Sequence, residues 1–181
     1  SVRCGRGEWA VVETDESDRS LLAFRPEHAI VTNVSADHFD IGTSRRIFAA
    51  FRAQVGGTVV EGAPAPADMP SRDGWNGRFR LEGTLFTVPL PGRHNVVNAW
   101  QAARMALLLG ADKARLARDL AAFPGVERRL QRVGRCGDAV VIDDYAHNPA
   151  KLAAAWGTLA EIFPRLAGVW RPHGYGPLRA M

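Results

Sequence analysis

Residues 92–99 (Gly-Arg-His-Asn-Val-Val-Asn-Ala) and 143–149 (Asp-Asp-Tyr-Ala-His-Asn-Pro) each set polar side chains and turn-forming residues between apolar segments. A domain interior tolerates such groups only where they serve a ligand or satisfy one another. Each run therefore belongs at a strand end or a helix start, and the pair points to a nucleotide-using enzyme.

The 181 residues, 46% hydrophobic and 23% charged, are enough to bury a core and predict one or two globular domains. No apolar stretch approaches the length of a membrane span, and residues 1–7 lack the apolar centre of a signal peptide, so the expected location is cytoplasmic, with no membrane partner. Cys4 and Cys136 stand far apart with no zinc-ligand spacing and read as reduced thiols. The net charge of +4 raises the possibility of a nucleic-acid-binding module. The arginines, however, are scattered from Arg3 to Arg179 instead of forming one basic stretch, and no nucleic-acid partner is expected.

Residues 9–14 and 29–33 are brief apolar runs ending in polar residues, and they predict two short buried strands. Residues 44–54 carry Ile47, Phe48 and Phe51 at helical spacing with Ser44 as a candidate cap, and Gly56-Gly57 ends that helix before a strand at 58–60. This order predicts an α/β sheet. Residues 63–77 read as a loop, and 78–81 with 84–88 flank Glu82-Gly83 as a tight antiparallel hairpin. Helices follow at 95–109 and 112–122. The stop at Phe123-Pro124-Gly125 divides the chain into domains 1–123 and 124–181. Beyond it, 139–142 predicts a buried strand. Asn148-Pro149 opens a helix with one apolar face, and 166–170 predicts the next strand. In a parallel crossover of this kind ligands gather at the carboxyl ends of the strands, where Asp143, Asp144 and Tyr145 fall.

Glu13 ends the first predicted strand and His38 follows the second, so both emerge at one sheet edge. A carboxylate and an imidazole there suit a divalent ion that also takes phosphate oxygens. The acidic run 13–18 reads equally as a solvated loop, and His38 as a structural residue. In 92–99, Asn95 reads as an ordinary helix cap with Asn98 completing it. In the functional reading Asn98, one turn inside, offers a base its amide, which both donates and accepts.

Glu-Thr-Asp-Glu-Ser-Asp at 13–18, Thr-Asn-Val-Ser-Ala-Asp-His-Phe-Asp at 32–40, the run at 92–99 and Val-Ile-Asp-Asp-Tyr-Ala-His-Asn-Pro at 141–149 occur in that order, supported by Gly-Val-Glu-Arg-Arg-Leu at 125–130. In these motifs the chain resembles the Mur ligases of peptidoglycan synthesis, most nearly their alanine-adding branch, over nearly its whole length. The resemblance implies a parallel-sheet central ATP-binding domain with a small antiparallel hairpin, followed by a partial Rossmann-like α/β C-terminal domain. It implies an ATP-dependent ligase that joins an amino acid to a carboxylate of the UDP-N-acetylmuramate type. In that chemistry ATP phosphorylates the carboxylate, the amine attacks the acyl phosphate, and phosphate leaves.

By the same resemblance Glu13 and His38 go to Mg2+, Asn95 and Asn98 to the adenine, Arg129 to the ATP phosphates and Asp144 to the ribose. Tyr145, His147 and His173 fall near the cleft, with Tyr145 beside the nucleotide. His173 is the better candidate to contact the incoming amino acid or its acyl phosphate, so His38, Arg129 and His173 form the implied catalytic set. Arg129 and the ion would offset charge on the transferring phosphoryl group. The implied partners are small molecules.

The departures are as specific as the matches. The family's phosphate loop carries Gly-Lys-Thr or Gly-Lys-Ser, and neither Lys113 nor Lys151 precedes Thr or Ser. With Ser1 in place of Met and a stop at Met181, the sequence reads as a fragment, inactive alone, without the N-terminal domain and the phosphate loop. No lysine lies between His38 and Gly57, where some relatives carry a carbamylated one, and this agrees with the alanine-adding branch. Gly174 stands where that branch has arginine, which leaves the amino acid open. A noncatalytic nucleotide-binding remnant sharing Asn98 and Asp144 is the alternative, and nothing in the sequence sets the oligomeric state.

Overall fold

The computed structural model describes residues 5–36, 38–70, 72–147 and 149–171, which belong to two compact units, Ser1–Glu61 and Gly62–Met181. No helix among the described residues is long and apolar enough to cross a membrane.

In the first unit a single 3-10 turn at Ser20–Ala23 precedes β1 (Ala29–Val31), α1 (Ile41–Arg52) and β2 (Val59–Glu61). β1 and β2 pair in parallel, Ala29 opposite Val59 and Val31 opposite Glu61, as the strand, helix, strand order predicts. α1 starts earlier than expected because Asp40, not Ser44, caps it: the Asp40 carboxylate accepts the Thr43 N–H at 3.0 Å and the Thr43 hydroxyl at 2.5 Å. Ser44 lies fully buried inside the first turn. Ile47 and Phe51, one turn apart, bury themselves against Leu21, Ala29 and Val31. His28 Nδ1 accepts the Thr58 N–H at 3.0 Å and joins the approach of β1 to that of β2.

The strand expected at 9–14 does not form, and Trp9, Val11 and Val12 are exposed. An extended run becomes a strand only where a neighbour pairs its N–H and C=O groups. Among the described residues no strand lies beside this one.

In the second unit β3 (Gly77–Leu81) and β4 (Thr84–Val88) form the expected hairpin. Glu82 at φ 48° and Gly83 at φ 77° supply the positive φ pair that a two-residue turn needs to match the twist of its strands. The register sets Phe79 opposite Phe86, and their rings stack at 5.0 Å between centroids. Val96, Ala99 and Ala103 of α2 (Arg93–Leu108) close over this pair, and α3 (Lys113–Ala121), capped by Asp112, adds Leu116 and Leu120.

After α3 come β5 (Gln131–Cys136), β6 (Ala139–Asp143) and α4 (Pro149–Ala160). β6 sits where a strand was expected but pairs antiparallel with β5, and its residues are half-buried to exposed instead of buried. The strand expected at 166–170 does not form. Gly168 lies against the Trp156 ring of α4, and the segment pairs with no strand among the described residues. The fold class is α/β, with one parallel pair and two antiparallel hairpins among the described residues.

Candidate functional site

The β5–β6 register sets Gln131 opposite Asp143, so the turn entering β5 and the loop leaving β6 meet at one end of the hairpin. Asp144 joins them. Its Oδ2 accepts the Leu130 N–H and its Oδ1 the Ala146 N–H, each at 2.8 Å. The Tyr145 N–H donates to the Arg128 carbonyl at 2.8 Å, Gln131 Oε1 accepts the Arg128 N–H at 2.9 Å, and the Arg129 N–H reaches the Val126 carbonyl at 3.2 Å.

Every backbone N–H from 128 to 130 thus has an acceptor. The wiring has a physical reason. Arg128 at φ 58° and Leu130 at φ 49° occupy the left-handed region. That region costs a residue with a Cβ about 1–2 kcal/mol, comparable to the roughly 1 kcal/mol that each hydrogen bond contributes. Leu130 is also buried, which anchors the turn from below.

Arg129, between these two residues, is exposed. The Arg128 guanidinium instead lies over the Tyr145 ring at 4.5 Å, with its Nε 3.6 Å from the Asp143 carboxylate. His147 meets Tyr145 edge-on at 5.4 Å.

The start of α2 supplies the other half. Gly92, at φ 92°, precedes the helix, and a Cβ there would lie 2.8 Å from Thr158 Oγ1 of α4 and 2.9 Å from His94 Cε1. Only glycine lets α4 approach this closely. Asn95 is not the cap: its Nδ2 donates to the Pro91 carbonyl at 2.7 Å and ties the helix to the loop before it. His94 and Asn98, one turn apart, share a face of α2. Asn98 is exposed and has no hydrogen-bond partner among the described residues.

Partial desolvation of the His94 ring, in an otherwise exposed residue, lowers its pKa below the ordinary histidine value; the Asp144 carboxylate opposes that shift and the Arg129 charge adds to it. The His94 ring therefore lies within electrostatic range of Arg129 and Asp144. The second unit therefore gathers an exposed amide, an imidazole, a guanidinium and a carboxylate, a set able to bind an anionic, base-bearing ligand.

The first unit is sparser. Glu13 and His38 are both exposed, and the carboxylate coupled to His38 is that of Asp15. The Ser17 hydroxyl and N–H hold Asp15 below the usual carboxylate range, and His38 lowers it further. Among the described residues no three His, Cys, Asp or Glu side chains are grouped closely enough to hold a metal. His173 lies outside the described residues.

Sequence reasoning gave no role to His94, Arg128, Gln131 or Thr158. The signal for His94 was present, since it stands inside the run 92–99.

A family model described as Mur ligase, glutamate ligase domain matches residues 128–172, the stretch that carries the Asp144 wiring. The UDP-N-acetylmuramate–L-alanine ligase of Halorhodospira halophila is 36% identical over 99% of this chain and 46% of its own length. That of Solidesulfovibrio magneticus is 33% identical over 99% and 48%. The chain belongs to the Mur ligases. It spans less than half the length of these curated relatives.

Among solved Mur ligases, UDP-N-acetylmuramate-alanine ligase MurC from Thermotoga maritima superposes with a TM-score of 0.68 at 25% identity, over 83% of this chain and 42% of that one. MurF from Acinetobacter baumannii reaches a TM-score of 0.66 at 19% identity, over 78% and 39%, and shares the Mur ligase fold.

Proposed function

We propose that this Mur ligase chain carries the adenosine and phosphate contacts of an ATP-dependent ligase. In this reading the ligase joins an amino acid, L-alanine in the named relatives, to a carboxylate of the UDP-N-acetylmuramate type through an acyl phosphate. The observation that carries the reading is that Asp144 ties the turn carrying Arg129 to the loop leaving β6, with His94 of the α2 start in electrostatic range of both and Asn98 one turn on. The match at 128–172 supports a division of the chain into a central part, 1–123, and a C-terminal part, 124–181.

In this reading the Asn98 amide pairs with the adenine, its NH2 donating to a ring nitrogen and its oxygen accepting from the exocyclic amino group. Asn95, one of whose Nδ2 hydrogens is engaged, keeps its oxygen and the other hydrogen for that purpose. Both Asp144 oxygens already accept a backbone N–H, and each retains a lone pair for a ribose hydroxyl. Tyr145, 39% exposed and braced by Arg128, offers a ring face beside the nucleotide. Arg129 places its positive charge where phosphate charge accumulates, and that positioning is its catalytic contribution. His173 remains assigned to the amino acid or its acyl phosphate.

Glu13 and His38, both exposed, are the donors that this reading gives to magnesium. Magnesium keeps several waters and needs only one or two protein donors beside phosphate oxygens, and no larger cluster is present among the described residues. When bound, the ion would neutralise phosphate charge.

Calorimetric titration of the chain with ATP tests the assignment. Asn98→Ala should weaken ATP by about 1 kcal/mol, the net worth of a neutral hydrogen bond. Parent affinity in that variant would remove Asn98 from the site.

A further inference from the structure

We propose that Gln131 is a positioning residue for Arg129, a role that rests on the reading of Arg129 as a phosphate contact. Gln131 opens β5 opposite Asp143, and its Oε1 accepts the Arg128 N–H at 2.9 Å. Asp144, the next residue after Asp143, accepts the Leu130 N–H at 2.8 Å. Side chains from two paired strand ends therefore grip the turn on either side of Arg129.

The grips matter because Arg128 and Leu130 both sit at positive φ, and neither is glycine. A residue with a Cβ released from its acceptor drifts to the broad negative φ basins, and a change of φ at Arg128 re-aims the residue after it. The other contacts of Arg128, to the Asp143 carboxylate at 3.6 Å and the Tyr145 ring at 4.5 Å, hold its guanidinium. The backbone contacts at the turn, from Tyr145 N–H to the Arg128 carbonyl and from Arg129 N–H to the Val126 carbonyl, leave the Arg128 N–H to Gln131 alone. At a half-exposed strand start many β-formers would serve as well, so the amide oxygen is the feature that distinguishes Gln131.

Two variants test this in the 181-residue chain: Gln131→Met, which keeps the length and loses the acceptor, and Gln131→Glu, which keeps both. Hydrogen exchange at the Arg128 amide and titration with ATP and with adenosine are the readouts. Gln131→Met should speed that exchange about tenfold and weaken ATP about five- to tenfold, the scale of one hydrogen bond. Adenosine, without phosphates, should bind as before, and Gln131→Glu should restore both properties.

Unchanged exchange in Gln131→Met, or equal losses for ATP and adenosine, overturns the proposal. Arg129→Met separates the two layers of the argument. Parent ATP affinity in that variant sinks the phosphate reading and the positioning role with it. Weakened ATP there, beside unaffected ATP in an exchange-exposed Gln131→Met, sinks the positioning role alone. Should Gln131→Met not fold, Gln131→Asn, whose oxygen stops short of the turn, gives the same readings.

Discussion

The Asp144 carboxylate accepts the N–H of Leu130, a buried residue held at φ 49°, across 2.8 Å. One side chain thereby links the loop leaving β6 to the turn that carries Arg129, and its second oxygen secures Ala146. A carboxylate used this way is structural before it touches any ligand.

Asp144→Ala should therefore lose stability as well as ATP affinity. It leaves the Leu130 and Ala146 N–H groups without their acceptor, at a cost of about 1–3 kcal/mol. Asp144→Asn keeps one carbonyl oxygen but turns an NH2 toward a backbone donor, so it should fall between Ala and the parent. Urea melts of the three proteins check the order, and parent stability in Asp144→Ala would show that the two hydrogen bonds are dispensable.

The parts legible in the sequence were those with a local signature. Two short runs flanking Glu82-Gly83 located the hairpin, and helical spacing of Ile47, Phe48 and Phe51 located α1; the Phe79–Phe86 pair came only with the register. β5 escaped because Gln-Arg-Val-Gly-Arg-Cys alternates no apolar face, and the strand is almost wholly exposed. The turn at 128–130 escaped for another reason. It places Arg and Leu at positive φ without Gly, Asn or Asp, and its acceptors take backbone N–H groups, which leave no mark in a sequence. Asp144 does follow the end of β6, where the sequence placed it. Its partners could be found only in three dimensions.

His94 predicts a pH dependence. Partial desolvation holds the folded ring neutral to lower pH than in the unfolded chain, which begins to take up a proton below about pH 6.5. The unfolded state then binds more protons, so stability is full above that value and declines as pH falls toward the folded pKa. Melting temperatures compared at about pH 7.5 and about pH 5.5 should show the loss, and His94→Gln should show less of it. An identical loss in His94→Gln would assign the effect to other groups.

Gly92→Ala combines two penalties: a Cβ at φ 92° and a contact of 2.8 Å with Thr158 Oγ1. We expect destabilisation of about 1–3 kcal/mol. Adding Thr158→Ala relieves the contact but not the φ, so the double variant should be less destabilised than the sum of its parts. Strict additivity in urea melts would show that α4 does not close on the start of α2.

The last prediction concerns turnover by the 181 residues themselves. They contain no Gly-Lys-Thr or Gly-Lys-Ser, the element whose backbone N–H groups and lysine cradle a transferring phosphoryl group. Asn98 and Asp144 hold the adenosine end in the proposed reading, and beside the ion Arg129 is the one side chain given to the phosphates. Phosphoryl transfer depends on in-line positioning and charge neutralisation from several sides, so one guanidinium leaves the phosphate chain free to move. Purified chain given UDP-N-acetylmuramate, L-alanine and magnesium ATP should release no phosphate above background, while still binding ATP in a titration. Substrate-dependent release would mean that other residues of this chain, among them His94, Arg93 or Lys151, complete the phosphate site, and the role given to a glycine-rich loop would have to be withdrawn.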